Sequence, residues 1–246
     1  MSGGDGTTRT ATGRPQDPSK DVIPVQTVDA RLTSRIYLDT KERICALLPG
    51  ADHPSWAISV PACPGWTVRD VVAHMTAVAQ DWADGTLSGA PTDEQTAEHV
   101  ARFADRNTAH LLEAWTAATA RLQQMAATDG LSPPLGDIAC HEHDIRGALD
   151  RAGARESAAV WHTSDRLIPM LQPSRPVRIT VEDGEYLCGP AEGTEIGLTT
   201  TRFEALRWRT GRRSRAQLAA MNWSGDPAPI IEELYLFGPT LVDLVE

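Results

Sequence analysis

The sequence predicts an α+β chain in which a four-helix bundle is followed by a smaller α+β unit. Two periodicities and the length point there. Between about residues 25 and 157 apolar residues recur at intervals of three and four, the spacing that lines one face of a helix. From about Arg175 apolar and polar residues alternate, and an Asp183-Gly184 pair interrupts the alternation as a hairpin turn would. The 246 residues suit one large domain or two modest ones, and 41% hydrophobic with 23% charged residues is the mix of a chain that buries a core. The expected organisation is a flexible tail over 1–24, the bundle over 25–157 and the α+β unit over 158–246. The tail is rich in Gly, Thr and Pro and carries no hydrophobic period.

In the first helix Leu32, Ile36, Ile44, Leu47 and Leu48 share a side, and Pro49-Gly50 stops it. A loop with Pro54, Pro61, Pro64 and Gly65 leads to Thr67 and Asp70, spaced as a capping box. The second helix starts there, is apolar through Val71, Val72, Met75, Val78 and Trp82, and closes at Gly85. A single long third helix is expected from Thr92 to Thr128, through Val100, Phe103, Leu111, Ala118, Leu122 and Met125. Pro133-Pro134 opens the fourth, with Leu135, Ile138, Ile145 and Leu149, and Gly153 lies near its end. A connecting helix over Trp161–Leu171 precedes the alternating segment Val177, Ile179, Val181, the returning strand Tyr186–Cys188 and a third extended run from Glu195 to Thr201. Arg202–Trp208 follows, and then a short helix from Ser214 to Met221.

Composition narrows the function. No run approaches the ~20 apolar residues of a membrane span, the first twenty residues hold no apolar export segment, and the net charge of −10 disfavours nucleic acid and anionic lipid as partners. A cytoplasmic protein with no membrane or nucleic-acid role is expected. Cys45, Cys63, Cys140 and Cys188 are scattered, without a CxxC pair, and read as reduced thiols. Only Lys20 and Lys41 are lysines against 21 arginines, a skew that suggests a GC-rich, actinobacterial source.

The fourth helix carries Asp137, Cys140, His141, Glu142, His143 and Asp144 in eight residues. Asp137 and His141, four apart, rise on one face, Asp144 extends that row, and Glu142 and His143 point elsewhere. Two such groups can hold a divalent metal, and a catalytic site wants a third ligand and an open position. His74 stands at offsets of three and four from Val71 and Val78, facing the bundle interior. Three ionisable groups on inner faces are costly unless paired or metal-bound. The bland alternative is a hydrogen-bonded core histidine and a solvated polar turn. A protease of the HExxH type is disfavoured, because Ile145 stands where the second histidine would be. Cys140 points about 100° away from His141 and does not read as a nucleophile.

The segment CPGWTVRDVVAHMTAVAQDW, Cys63 to Trp82, resembles the first motif of the mycothiol-dependent maleylpyruvate isomerase family, a branch of the DinB-like helical bundles. Gly211-Arg212-Arg213-Ser214 and Trp223-Ser224-Gly225-Asp226 resemble that family's smaller C-terminal domain. The resemblance implies a divalent metal, zinc foremost, held by His74, Asp137 and His141, with aspartate in place of the usual glutamate. It also implies mycothiol as the low-molecular-weight thiol, activated by the metal for S-transfer or cis–trans isomerisation of a small electrophilic substrate. Asp144 is then the candidate to orient His141, its alternative being an exposed helix carboxylate. Arg212, in the run Arg207, Arg209, Arg212, Arg213 and Arg215, is the candidate cation for an acidic substrate, its alternative being solvated surface. Trp82, Trp115 and Trp161 read as core or pocket lining. Two other functions stay open: a hydrolase or lyase using metal-bound water, and a non-catalytic, metal-stabilised binding module.

Overall fold

The computed structural model describes residues 29–246, Pro49 excepted, together with Met1. The expected tail, Met1 apart, and the Pro49 stop lie outside the described residues. Helix α1 (Ala30–Leu47) is capped by the Asp29 side chain, which accepts from the Arg31 N–H. Helix α2 (Val68–Asp84) opens on the anticipated capping box, Thr67 and Asp70 each accepting from the other's backbone, and closes on Gly85 in the left-handed region at φ 70°. Gly85 supplies a conformation that an L residue resists.

The long third helix is two helices. α3 (Asp93–Ala101) has its own capping box, Thr92 with Gln95, and α4 (Thr108–Thr128) starts anew on Asn107, whose side chain accepts from the His110 N–H. Between them Phe103 is buried, and Arg69 of α2 donates to the Phe103 carbonyl at 2.5 Å and to the Arg106 carbonyl at 2.6 Å. The carbonyls freed by the break are thus satisfied from a neighbouring helix. Apolar periodicity runs across this break because Phe103 stays in the core, and Asn107 is the start signal that the period concealed.

α5 (Leu135–Ala148) ends before Gly153, and α6 (Ala158–Leu167) is the connecting helix. α1 packs on α4 and α5, and α2 packs on the same two, so α1, α4, α2 and α5 close a four-helix ring with α3 lying on α2.

The remainder builds a sheet in the order β2-β1-β3-β4, from β1 (Val177–Val181), β2 (Gly184–Cys188), β3 (Ile196–Thr199) and β4 (Asn222–Trp223). β1 and β2 form the expected antiparallel hairpin, with Val181 opposite Gly184, so the turn residues are Glu182 and Asp183, one position earlier than expected. β3 runs parallel to β1. Helices α7 (Arg202–Arg209) and α8 (Arg215–Ala219) complete the unit, and the α8 cap is Ser214 with Gln217. Among the described residues no helix is long and apolar enough to cross a membrane.

Two buried clusters result. One fills the bundle through Val71, Met75, Leu111, Trp115, Leu122, Ile138 and Ile145; the other lies under the sheet through Val177, Ile179, Leu198, Leu218 and Leu234. α7 serves both, with Phe203 and Leu206 in the first and Ala205 and Trp208 in the second. Its arginines are not solvated surface. Arg202, Arg207 and Arg209 are all buried, each bonded to a carboxylate or carbonyl.

Candidate metal centre

α2 and α5 bring three side chains to one point. His74 Nε2 lies 3.2 Å from Asp137 Oδ1, and His141 Nε2 lies 3.6 Å from the same oxygen. One donor atom from each residue falls within 4.8 Å of the others. Both histidines are buried, and the Asp137 side chain keeps 18% of its surface exposed, so the cluster meets solvent on the carboxylate side. Burial alone would raise the Asp137 pKa; His74, His141 and His99 outweigh it and hold the carboxyl below the ordinary value.

The far nitrogens are occupied. His141 Nδ1 is 2.8 Å from Asp144 Oδ2, and His74 Nδ1 is 3.4 Å from His99 Nδ1. With Nδ1–H given to Asp144, a neutral His141 presents a lone pair at Nε2, the state in which imidazole binds a metal. Two imidazole nitrogens and one carboxylate oxygen are a fitting donor set for a divalent ion, and the shorter aspartate reaches both rings.

Asp144 is buried, not an exposed helix carboxylate. It accepts from Arg207 Nη2 at 2.8 Å, from Arg212 Nη2 at 2.9 Å and from the Cys63 thiol at 3.3 Å. Burial would raise its pKa, yet Arg212, Arg207 and His141 hold it well below the ordinary carboxylate range. Arg212 also donates to the Thr210 carbonyl, so the C-terminal unit supplies two guanidinium groups to a carboxylate of the bundle.

Cys63, His141 and Asp144 form a second group with metal-compatible spacing. Its chemistry argues against a cation there. Two guanidinium groups already neutralise Asp144, and burial, with Asp144 next, pushes the Cys63 thiol up, so the sulfur keeps its proton and donates.

The solvated-turn alternative for the His-Glu-His-Asp run does not hold, because every residue from Ile138 to Ile145 is buried. Glu142 points away from the cluster and accepts from Arg43 at 2.6 and 2.9 Å and from Arg146 at 3.0 and 3.1 Å, tying α1 to α5. His143 packs edge-on to Phe203 with rings 4.8 Å apart. Of the arginine run, Arg207, Arg209 and Arg213 are buried, Arg212 borders the cluster, and Arg215 is an exposed partner of Glu232. Trp115 is core and donates to the Tyr37 hydroxyl at 3.2 Å, Trp82 donates to the Ser132 carbonyl at 2.9 Å, and Trp161 lies under the Arg202 guanidinium at 4.9 Å.

Sequence reasoning gave no place at the site to Trp66, Cys63 or His99 and named Arg207 only as one of the arginine run. The Trp66 ring stands 5.2 Å from His74 and 6.4 Å from His141, forming a wall of the cluster. It and Cys63 belong to the CPGWTVRD run that carried the family resemblance, which was their available signal. Nothing in the pattern around His99 marks it: the packing of α3 on α2 brings it to Asp81 and His74.

The family described as "Mycothiol maleylpyruvate isomerase N-terminal domain" matches residues 38–170, a span that contains His74, Asp137 and His141. Crystal structures of the mycothiol-dependent maleylpyruvate isomerase and of a histidine-to-alanine mutant of it are each 13% identical to this chain. Each alignment covers 74% of this chain and 89% of the other, with TM-scores of 0.45 and, for the mutant, 0.47. No curated protein sequence matches. Because the match spans more than half of the sequence, from the first helix of the bundle past α6, this chain belongs to the mycothiol maleylpyruvate isomerase N-terminal domain family.

Proposed function

We propose that this chain is a metal-dependent, thiol-using cytoplasmic enzyme, an isomerase or S-transferase that acts on a small electrophilic metabolite with mycothiol as its thiol. The observation that carries the reading is the pair of Nε2 atoms converging on Asp137 while each ring's Nδ1 is taken by another protein group. His74, Asp137 and His141 would hold a divalent ion, zinc foremost, whose Lewis acidity would lower the pKa of an incoming thiol toward neutral pH.

The protein's own groups set the stage around it. Asp144 fixes the orientation of His141 through the Nδ1–H bond. Of the five N–H donors of Arg212, Nε and one on Nη2 go to Asp144, the other on Nη2 faces the Cys63 sulfur at 3.8 Å and one on Nη1 goes to Thr210, leaving one on Nη1 for a substrate carboxylate or a developing enolate oxygen. Trp66 covers the flank of His74 and keeps bulk water off it. Cys63 stays a protonated donor to Asp144, which leaves the nucleophile to come from outside the chain.

The purified protein is expected to hold a divalent ion in stoichiometric amount by elemental analysis. His74→Ala and His141→Ala should each lose it. Turnover of maleylpyruvate or a related electrophile should require added mycothiol. Full metal retention in either variant, or equal turnover with no thiol present, would overturn the reading.

A further inference from the structure

The half of the cluster on α2 is backed by a row of residues of which the reading above uses only the first contact, His99 on His74. His74 Nδ1 meets His99 Nδ1 at 3.4 Å, His99 Nε2 meets Asp81 Oδ2 at 3.0 Å, and Arg102 grips both Asp81 oxygens at 2.8 and 2.9 Å. His99 is 1% exposed, so neither of its nitrogens has bulk water as a substitute partner.

The proton positions along this row follow from its far end. A carboxylate held by a two-toothed guanidinium contact is ionised and only accepts, so the His99 nitrogen facing Asp81 must be the one bearing hydrogen. A neutral imidazole with Nε2–H has a bare Nδ1, and that bare nitrogen can only accept from His74. The proton between the two rings therefore sits on His74 Nδ1, which leaves Nε2, facing Asp137, as the nitrogen open to a divalent ion. In the opposite tautomer His74 Nε2–H would donate to Asp137 at their 3.2 Å separation and close the cluster to an ion.

We propose that His99 is a positioning residue for the metal centre: with Asp81 and Arg102 it forms a one-way hydrogen-bond relay that fixes His74 in the metal-binding tautomer. The proposal rests on the metal reading above, and it is separable from it because the tautomer exists without metal. The relay is asymmetric with respect to the other ring. His141 is fixed directly by a carboxylate, whereas His74 is fixed through an intervening imidazole, and the two anchoring carboxylates are neutralised from opposite sides, Asp81 by Arg102 just past α3 and Asp144 by Arg207 and Arg212.

The variant that isolates the relay is Asp81→Asn. It keeps the size of the side chain and the Arg102 contact through its carbonyl but turns an N–H toward His99. His99 must then accept at Nε2 and donate at Nδ1, which drives His74 to Nε2–H. In the chelator-treated, full-length wild type, ¹⁵N shifts of the histidine rings should report a proton on His74 Nδ1; in Asp81→Asn they should report His74 Nδ1 bare and Nε2 protonated. Zinc affinity, read by competition with a chromophoric chelator, should fall about 10- to 100-fold in Asp81→Asn and in His99→Phe, the loss typical when a metal ligand's supporting partner is removed. His99→Asn, which keeps an acceptor near the Nδ1 position, should restore part of it. A role in packing alone predicts the reverse, with the isosteric Asp81→Asn harmless. A wild-type His74 found as Nε2–H, or both Asp81→Asn and His99→Phe holding zinc within about two-fold of wild type, would overturn the proposal. A wild type that bound no zinc would overturn the metal reading, while the ring shifts of the same protein would still decide the relay.

Discussion

Replacing Arg207 by methionine is the sharpest test of how the site is held. The side chain is fully buried and makes four kinds of contact: Nη2 to Asp144 at 2.8 Å, Nη1 to the Cys140 carbonyl at 3.1 Å, Nε to Glu246 at 2.8 Å, and Nη2 to Glu246 again. Methionine fills most of the aliphatic volume, so the cavity contribution is small and the electrostatic loss dominates. Breaking a buried pair from one side costs about 3–5 kcal/mol, and Arg212 keeps its hold on Asp144, so Arg207→Met belongs at the lower end, about 3 kcal/mol. For a chain of this length that is a fall in Tm of roughly 6–12 °C. Urea unfolding followed by the summed fluorescence of the seven tryptophans, of which Trp208 is buried one residue away, measures it. The pH dependence has a fixed sign. Asp144 titrates far below an unfolded carboxyl, so its stabilisation is complete above about pH 5 and is lost as pH falls below ~4 toward the folded value. The gap between wild type and variant must therefore narrow in acid. A loss under about 1 kcal/mol, or a gap that widens as pH drops, would refute the account.

Other substitutions probe separate claims. Gly211→Ala places a Cβ against the Gly238 carbonyl at a φ of +83°, and a cost above about 2 kcal/mol in urea unfolding is expected, with Arg212 displaced and thiol-dependent turnover reduced. Thr67→Ala removes the α2 cap and should cost about 1 kcal/mol while leaving metal content unchanged. His143 is pushed down to about 3 by burial, with Arg207 and Arg146 adding, so the unfolded chain takes up a proton near 6.5 that the native protein refuses. Wild-type stability should then decline as pH falls below that point by up to about 1.4 kcal/mol per pH unit, and His143→Leu should lack this component of the slope.

The bundle was legible because helical period and capping chemistry agreed at α2, where Thr67, Asp70 and Gly85 bracket the apolar face, and because the Pro133-Pro134 pair marks the start of α5, which no side chain caps. Asp137, His141 and His74 could be grouped by face for the same reason: spacing along a helix fixes direction. Three things escaped that logic. The α3–α4 break has a local start signal, Asn107, that the apolar period hid, and its loose carbonyls at Phe103 and Arg106 are taken up by a tertiary contact, Arg69 reaching across from α2. The position of His99 depends on how α3 lies on α2, a tertiary arrangement. The burial of Arg207 and Arg209 opposes what charge suggests, because it depends on acceptors, Asp144 and the carbonyls of Cys140 and Leu234, supplied from elsewhere in the chain.

The eight residues of α7 belong to both hydrophobic clusters at once, through Phe203 and Leu206 on one side and Ala205 and Trp208 on the other. Such a helix acts as a shared keystone: it cannot melt without opening bundle and sheet together. Thermal scans should accordingly show a single cooperative transition, and the α7 amides should exchange with deuterium only through global opening, as slowly as those of α2.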